Sequence, residues 1–225
     1  MPVAVDDQIS IDNAIRSYAS GAPVIIADTT RENEADFAIR ASACTPEIVN
    51  LFLSRGRGVL CLVLSESRAG EMGVSRLKTN GNDPFGTPFG MPLSVADGST
   101  SVSVEARSRT IRRVSGMKTG DPSLILPGHV QTLVAHPDLS RGRRGHTETV
   151  LELAELAGVE DDAVLCEILD DQGRMADMTQ IRALAEELGI VTVRLDQILD
   201  YLDQKHLRGA PISTPKRAFN EQVSE

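Results

Sequence analysis

Apolar positions along this chain alternate between two periods. Ile11, Ile15 and Tyr18 recur at helical spacing behind Ser10 and ahead of Gly21, so a helix capped by Ser10 and closed by Gly21 is predicted. Val24–Ala27 is an unbroken apolar run, the mark of a strand buried on both faces. From Asp36 to Ala43 the period becomes two, with Phe37, Ile39 and Ala41 on one side. Thr45-Pro46-Glu47 combines an N-cap, a first-turn proline and an acid at the positive dipole end, and the helix it opens stops at Gly56. Val59–Leu64 reads as a second buried strand. Residues 76–92 are rich in Gly, Pro and Asn and read as a long irregular loop. Beyond it come short strands at 93–95 and 102–104, a helix over 107–114, and a strand over 130–134. A helix over 147–157, a strand over 164–169, a helix over 177–188 closed by Gly189, a strand over 190–193 and a helix over 196–202 complete the order. The expectation is one α/β or α+β domain with a mixed sheet over residues 1–207, followed by a polar tail over 208–225.

Composition narrows the partners. Hydrophobic residues make up 41% and charged residues 24%, as in ordinary globular chains. The formal net charge of −9 argues against general binding to nucleic acid or an anionic membrane surface. With no Trp, five Phe and two Tyr, a base-stacking platform is not expected. No apolar run approaches the ~20 residues of a spanning helix, and MPVAVDDQIS lacks a basic-then-apolar signal pattern. Cys44, Cys61 and Cys166 are too widely spaced for a disulfide framework or a zinc knuckle, which points to the reducing cytosol.

Two segments carry candidate chemistry. Asp28–Asp36 follows an apolar strand, and its acids at 32, 34 and 36 project to one side of an extended backbone. Such carboxylates repel unless Arg31 or a cation neutralises them, and hard oxygen donors suit Mg²⁺ or Mn²⁺. A solvated acidic turn is the alternative that spacing leaves open. Leu139–Glu148 brings Arg141, Arg143 and Arg144 with Gly142 and Gly145 into a helix start. Backbone N–H groups, dipole and guanidinium forks there suit a phosphate, though a plain basic loop has the same composition. His146 falls in the first helical turn, where the dipole favours a neutral imidazole. His129 follows a Pro-Gly turn at a strand mouth. Glu167 is an acid inside an apolar strand, which needs a partner or a raised pKa. Cys61 reads as a core thiol, and His136 and His206 as surface residues.

Together R-E-N-E-x-D, R-G-x-x-C, P-G-H-V, R-x-G-H-T-E and C-E-I, in this order from about Ile9 to Tyr201, resemble 3,4-dihydroxy-2-butanone 4-phosphate synthase of riboflavin biosynthesis. The resemblance implies an α+β sandwich, a homodimer with active sites at the subunit interface, and Mg²⁺-dependent conversion of ribulose 5-phosphate to a four-carbon ketone phosphate plus formate. It implies that Glu32 and His146 ligate metal, that Arg31 and Asp36 contact the sugar, and that Glu34 and Cys61 line the pocket. Arg143, Gly145 and Thr147 would grip the phosphate with Thr100 and Arg144, and His129 and Glu167 would be the acid/base groups.

The chain also departs from that pattern, with Thr29 and Thr30 before the Arg, Ala35 before the last acid, Ser99–Arg107 lacking a Gly and an Asp, and Gln131 after P-G-H-V. Two further readings therefore stand beside the synthase. One is a diverged enzyme using the same sites on a related phosphosugar, and the other is a non-catalytic homologue.

Overall fold

The computed structural model describes residues 5–78, 80–96, 98–117 and 119–207; the polar tail expected over 208–225 lies outside the described residues. Seven strands form one mixed sheet: β1 (Val24–Asp28), β2 (Glu34–Arg40), β3 (Cys61–Leu64), β4 (Phe89–Val95), β5 (Leu124–Val134), β6 (Ala163–Glu167) and β7 (Val191–Arg194). They lie in the order β4-β5-β3-β6-β2-β1-β7. The β3–β5 and β1–β7 pairs are parallel and the other four pairs antiparallel. Among the described residues, seven α-helices cover the sheet: α1 (Val5–Ser20), α2 (Pro46–Leu51), α3 (Glu66–Glu71), α4 (Val104–Ser115), α5 (His146–Leu156), α6 (Met178–Leu188) and α7 (Leu195–Leu207). The chain is thus a single α+β domain with a mixed sheet, as expected.

Strand alternation divides the core in two. Ile25, Phe37, Ile39, Leu62 and Val164 face α2, α4 and α6, and stacked Phe37 and Phe52 rings, 5.0 Å apart, anchor that side. Ile26, Ala38, Val63 and Leu165 face α1, α5 and α7. The second face matters for function, because the polar residues at one end of its strands belong to it. Asp28, Glu34, Asp36, Cys61, Gln131 and Glu167 all have its parity.

Local signals account for most boundaries. The Thr45 side chain accepts from Ile48 N–H, and Asp177 and Gln180 close a capping box. Gly189 ends α6 at φ +65°. Four expectations need correction. Ser10 lies inside α1, its hydroxyl donating to the Thr192 carbonyl, and is no cap. Residues 102–104 are not a strand: Ser103 caps α4 by accepting from Ala106 N–H, and two β-branched valines were too short a signal to outweigh it. The 76–92 loop gives up its last residues to β4, and Arg76 bridges Gly90. Pro127 and Gly128 form no turn but lie within β5, opposite an irregular stretch of β4 where the register shifts. Helix α3, capped by Ser65, had no apolar period to announce it.

Gly128 permits that close approach. A Cβ there would lie 2.0 Å from the Leu93 carbonyl carbon and 2.1 Å from Ser94 N. Gly128→Ala should cost about 3 kcal/mol, at the upper end for overpacking, and lower the thermal midpoint by about 6–12 °C. An unchanged midpoint in a thermal melt would contradict this packing.

Candidate functional site

The acidic turn between β1 and β2 is built on Asp28. This nearly inaccessible carboxylate accepts from Thr30 N–H (2.8 Å), Thr30 Oγ1 (2.9 Å), Arg31 N–H (3.1 Å) and Glu32 N–H (3.0 Å). Burial pushes its pKa up, but these four donors outweigh burial and hold it below the ordinary carboxylate value. Asn33, at φ +53°, then turns the chain into β2, a conformation Asn tolerates better than most residues. Glu32, Glu34 and Asp36 consequently face α5.

The basic loop is built from the other side. Glu148 is fully buried and accepts from His136 N–H (3.0 Å) and from Arg143 Nη1 (2.7 Å). One turn further on, Glu152 accepts from Ser140 N–H and Oγ. The loop is therefore tied to the helix it precedes. Gly145 is the residue before the first turn, and a Cβ on it would lie 2.1 Å from Arg143 Nη1. His146 and Thr147 are buried in the first turn.

The two segments meet. Glu32 Oε2 lies 3.2 Å from His146 Nδ1, and Glu32 Oε1 lies 3.5 Å from Arg143 Nη2 and 3.9 Å from Arg31 Nη1. Burial raises Glu32, but the hydrogen bond and charge of His146, with Arg143, bring it below the ordinary value. Glu34 is pushed up to about 8 by burial and by the charges of Asp36 and Glu32, partly offset by His146. Asp36 is pushed up to about 7 by burial, with Glu167 and Glu32 adding and His146 opposing. Burial lowers His146, yet Asp36, Glu32 and Glu34 together raise it to about 9 while no cation shares the cluster.

One donor atom each from Glu32, Glu34 and His146 lie within 4.8 Å of one another. Asp36 Oδ1 and His146 Nε2 are buried with no hydrogen-bond partner among the described residues. Donors left unpaired beside an excess of carboxylate fit a hard divalent cation such as Mg²⁺ or Mn²⁺.

Other expected residues lie at varying distance from this centre. Glu167 pairs with Asp36 in register, and its Oε2 accepts from Val59 N–H at 2.7 Å. Gly58 admits it, since a Cβ there would lie 2.5 Å from that oxygen. Cys61 is buried, and burial, with Glu167 and Asp36, pushes its thiol well above the usual value, so it is a neutral thiol. Arg144 turns outward to Asp203 (3.0 Å), while its carbonyl accepts from Arg31 Nη1 (2.7 Å). Thr100 and His129 are exposed. His129 N–H donates to Ser94 Oγ, and neither side chain contacts the cluster.

A family model for 3,4-dihydroxy-2-butanone 4-phosphate synthase matches residues 12–201. The chain belongs to the 3,4-dihydroxy-2-butanone 4-phosphate synthase family. The synthase of Hamiltonella defensa is 33% identical over 193 residues, 85% of this chain and 88% of its own. The riboflavin biosynthesis protein RibBA of Phocaeicola vulgatus is 34% identical over 211 residues, 92% of this chain and 52% of its own. The chain spans about half the length of several such curated relatives. A solved structure of 3,4-dihydroxy-2-butanone 4-phosphate synthase in complex with two magnesium ions superposes with a TM-score of 0.81 at 28% identity, covering 87% of this chain and 97% of that one.

Within this synthase-family chain, sequence reading missed three supports of the site. The Asp28 clamp had a usable signal, an Asp followed by Thr at a strand end, which is the pattern of an Asx turn. Glu148 as the anchor of Arg143 was hidden among first-turn acids that usually serve the dipole. His136, read as a surface residue, lines a cavity of about 770 Å³ with Arg143 and Glu148.

Asp28→Ala should cost about 2 kcal/mol at neutral pH, the scale of hydrogen bonds to a buried charge. Because the folded-state pKa is depressed, the Asp28 contribution is present above the ordinary carboxylate range and lost as pH falls through the folded value. Urea unfolding should therefore separate the two proteins at neutral pH and bring them together in strong acid. A gap that persists in acid would contradict the clamp.

Proposed function

We propose that this chain is a Mg²⁺-dependent lyase that converts D-ribulose 5-phosphate to L-3,4-dihydroxy-2-butanone 4-phosphate plus formate in riboflavin biosynthesis. The observation that carries the reading is the meeting of Glu32, Glu34 and His146 with Arg31 and Arg143, from segments 113 and 114 residues apart. A phosphosugar needs both chemistries, oxygens gathered at one end and an anion held at the other.

Glu32 and His146, with Glu34 beside them, would hold the metal, which supplies positive charge next to a carbonyl oxygen as a carbon-bound proton leaves. Asp36 and Glu34, with pKa values pushed to about 7 and about 8, exchange protons near neutral pH. Glu167, fixed by Val59 N–H, would serve as an acid/base group on the same face. Arg31 would steer the sugar, and Arg143, Gly145 and Thr147 would bind the phosphate at the start of α5. Cys61 supplies a neutral wall. Thr100, Arg144 and His129 face outward and would act from one protomer on the site of its partner in a homodimer. The free thiols of Cys44, Cys61 and Cys166 agree with a cytosolic protein.

A second reading draws on Gln131. It stands in register with Cys61, and its side-chain amide donates to the carbonyls of Gly90 and Thr132. A polar residue there favours a diverged enzyme acting on a related phosphosugar.

Carbon-13 NMR of the protein with ribulose 5-phosphate and Mg²⁺ should yield formate, and chelation by EDTA should abolish it. A different product would favour the second reading, and no turnover with no metal binding would leave a non-catalytic homologue. Glu32→Ala should weaken Mn²⁺ binding at least about tenfold by calorimetry; unchanged affinity would remove it from the metal site. Arg143→Ala should raise KM more than it lowers kcat, as loss of uniform phosphate binding does. A pure kcat effect would contradict that role.

A further inference from the structure

Arg31 and Arg143 share a second acceptor besides Glu32. Arg31 Nη2 donates to the Phe85 carbonyl at 3.1 Å, and Arg143 Nε donates to the same oxygen at 3.3 Å. The Arg31 guanidinium also lies over the Phe85 ring, 5.9 Å from its centroid. Phe85 is 54 residues from Arg31 and 58 from Arg143, so local chain geometry does not enforce the meeting.

Two guanidinium groups gathered in one place repel each other, and acceptors must bracket them to keep them there. Glu32 is the acceptor on one side, but it is shared with His146 and belongs to the candidate metal cluster. Phe85 is the acceptor on the other side and has no such second partner. Its turn is itself fastened. Asp83 Oδ1 accepts from Phe85 N–H at 2.9 Å, Asp83 Oδ2 accepts from Thr87 N–H at 2.6 Å, and Gly86 completes the turn at φ +61°. The same turn, through Asp83, Gly86 and Thr87, walls the cavity that Arg143 enters.

We propose that Phe85 is a positioning residue for the anionic end of the substrate. Its carbonyl and ring hold Arg31 and Arg143 side by side, and Asp83 holds Phe85. The proposal rests on the phosphosugar reading above and names the group that sets the phosphate-binding Arg143 and its neighbour Arg31 in place. Phe85 itself touches the arginines and acts through them.

The test is calorimetric titration of inorganic phosphate into the full-length protein, with KM and kcat measured alongside. Phe85→Ala and Asp83→Ala should each weaken phosphate binding about fivefold or more, the scale of one cation–π contact or one charged hydrogen bond. KM should rise more than kcat falls. Phe85→Ala removes the ring from Arg31 and Asp83→Ala loosens the carbonyl that holds both arginines, so the double variant should lose less than the sum of the two single losses. Phe85→Tyr keeps the ring over Arg31 and should bind phosphate as the wild type does. Phe85 is 38% exposed, so its removal should leave the thermal midpoint in place. Unchanged affinity in Phe85→Ala, additive losses in the double variant, or tighter binding from a carbonyl that competes with the anion would each overturn the proposal. Absence of formate from the wild-type protein would defeat the lyase reading alone, since the phosphate titration decides the role of Phe85 independently.

Discussion

Carboxylates crowded on one face of a sheet need positive charge, and most of this structure follows from that need. Donor atoms of Glu32, Glu34 and His146 fall within 4.8 Å of one another, with Asp36 buried beside them. At that separation the Glu32–Glu34 pair, when both are ionised, costs about 3–4 kcal/mol at the effective dielectric of a protein site. The chain meets part of the cost by carrying a basic loop to the same place, so that His146 and Arg143 pair with Glu32. The remainder appears as raised pKa values for Glu34 and Asp36, which hold protons where a cation would relieve them.

The fold delivers these groups by simple means. Alternation along β2 and β6 puts Glu34, Asp36 and Glu167 on the face that α5 covers, and the end of α5 that reaches them is its N-terminus. Acids that are not in the cluster hold its parts still. Asp28 fastens the acidic turn, Glu148 and Glu152 fasten the basic loop, and Asp83 fastens the turn that brings Phe85 to the arginines. Each of these is a short-range hydrogen-bond device with long-range consequences, and that is how loops gain the precision of regular elements.

Much of this was legible in the residues. The acidic segment, the basic segment and their meeting came from charge pattern and from the five ordered motifs, and helices with clear caps, such as those opened by Thr45 and Asp177, fell where expected. The failures have physical causes. Reading His146 from its own helix leaves out the carboxylates, more than a hundred residues away, that raise its pKa. Pro127-Gly128 signals a turn locally, but an irregular partner strand lets both residues stay in β5. Phe85 acts through a ring on one arginine and a backbone carbonyl, which every residue has, on both, so no charge pattern marks it.

If the acidic turn and the start of α5 form one cation site, crystals soaked in Mn²⁺ should show an anomalous peak at the manganese edge among Glu32, Glu34 and His146. A peak elsewhere, with none at these three residues under saturating metal, would contradict that single site.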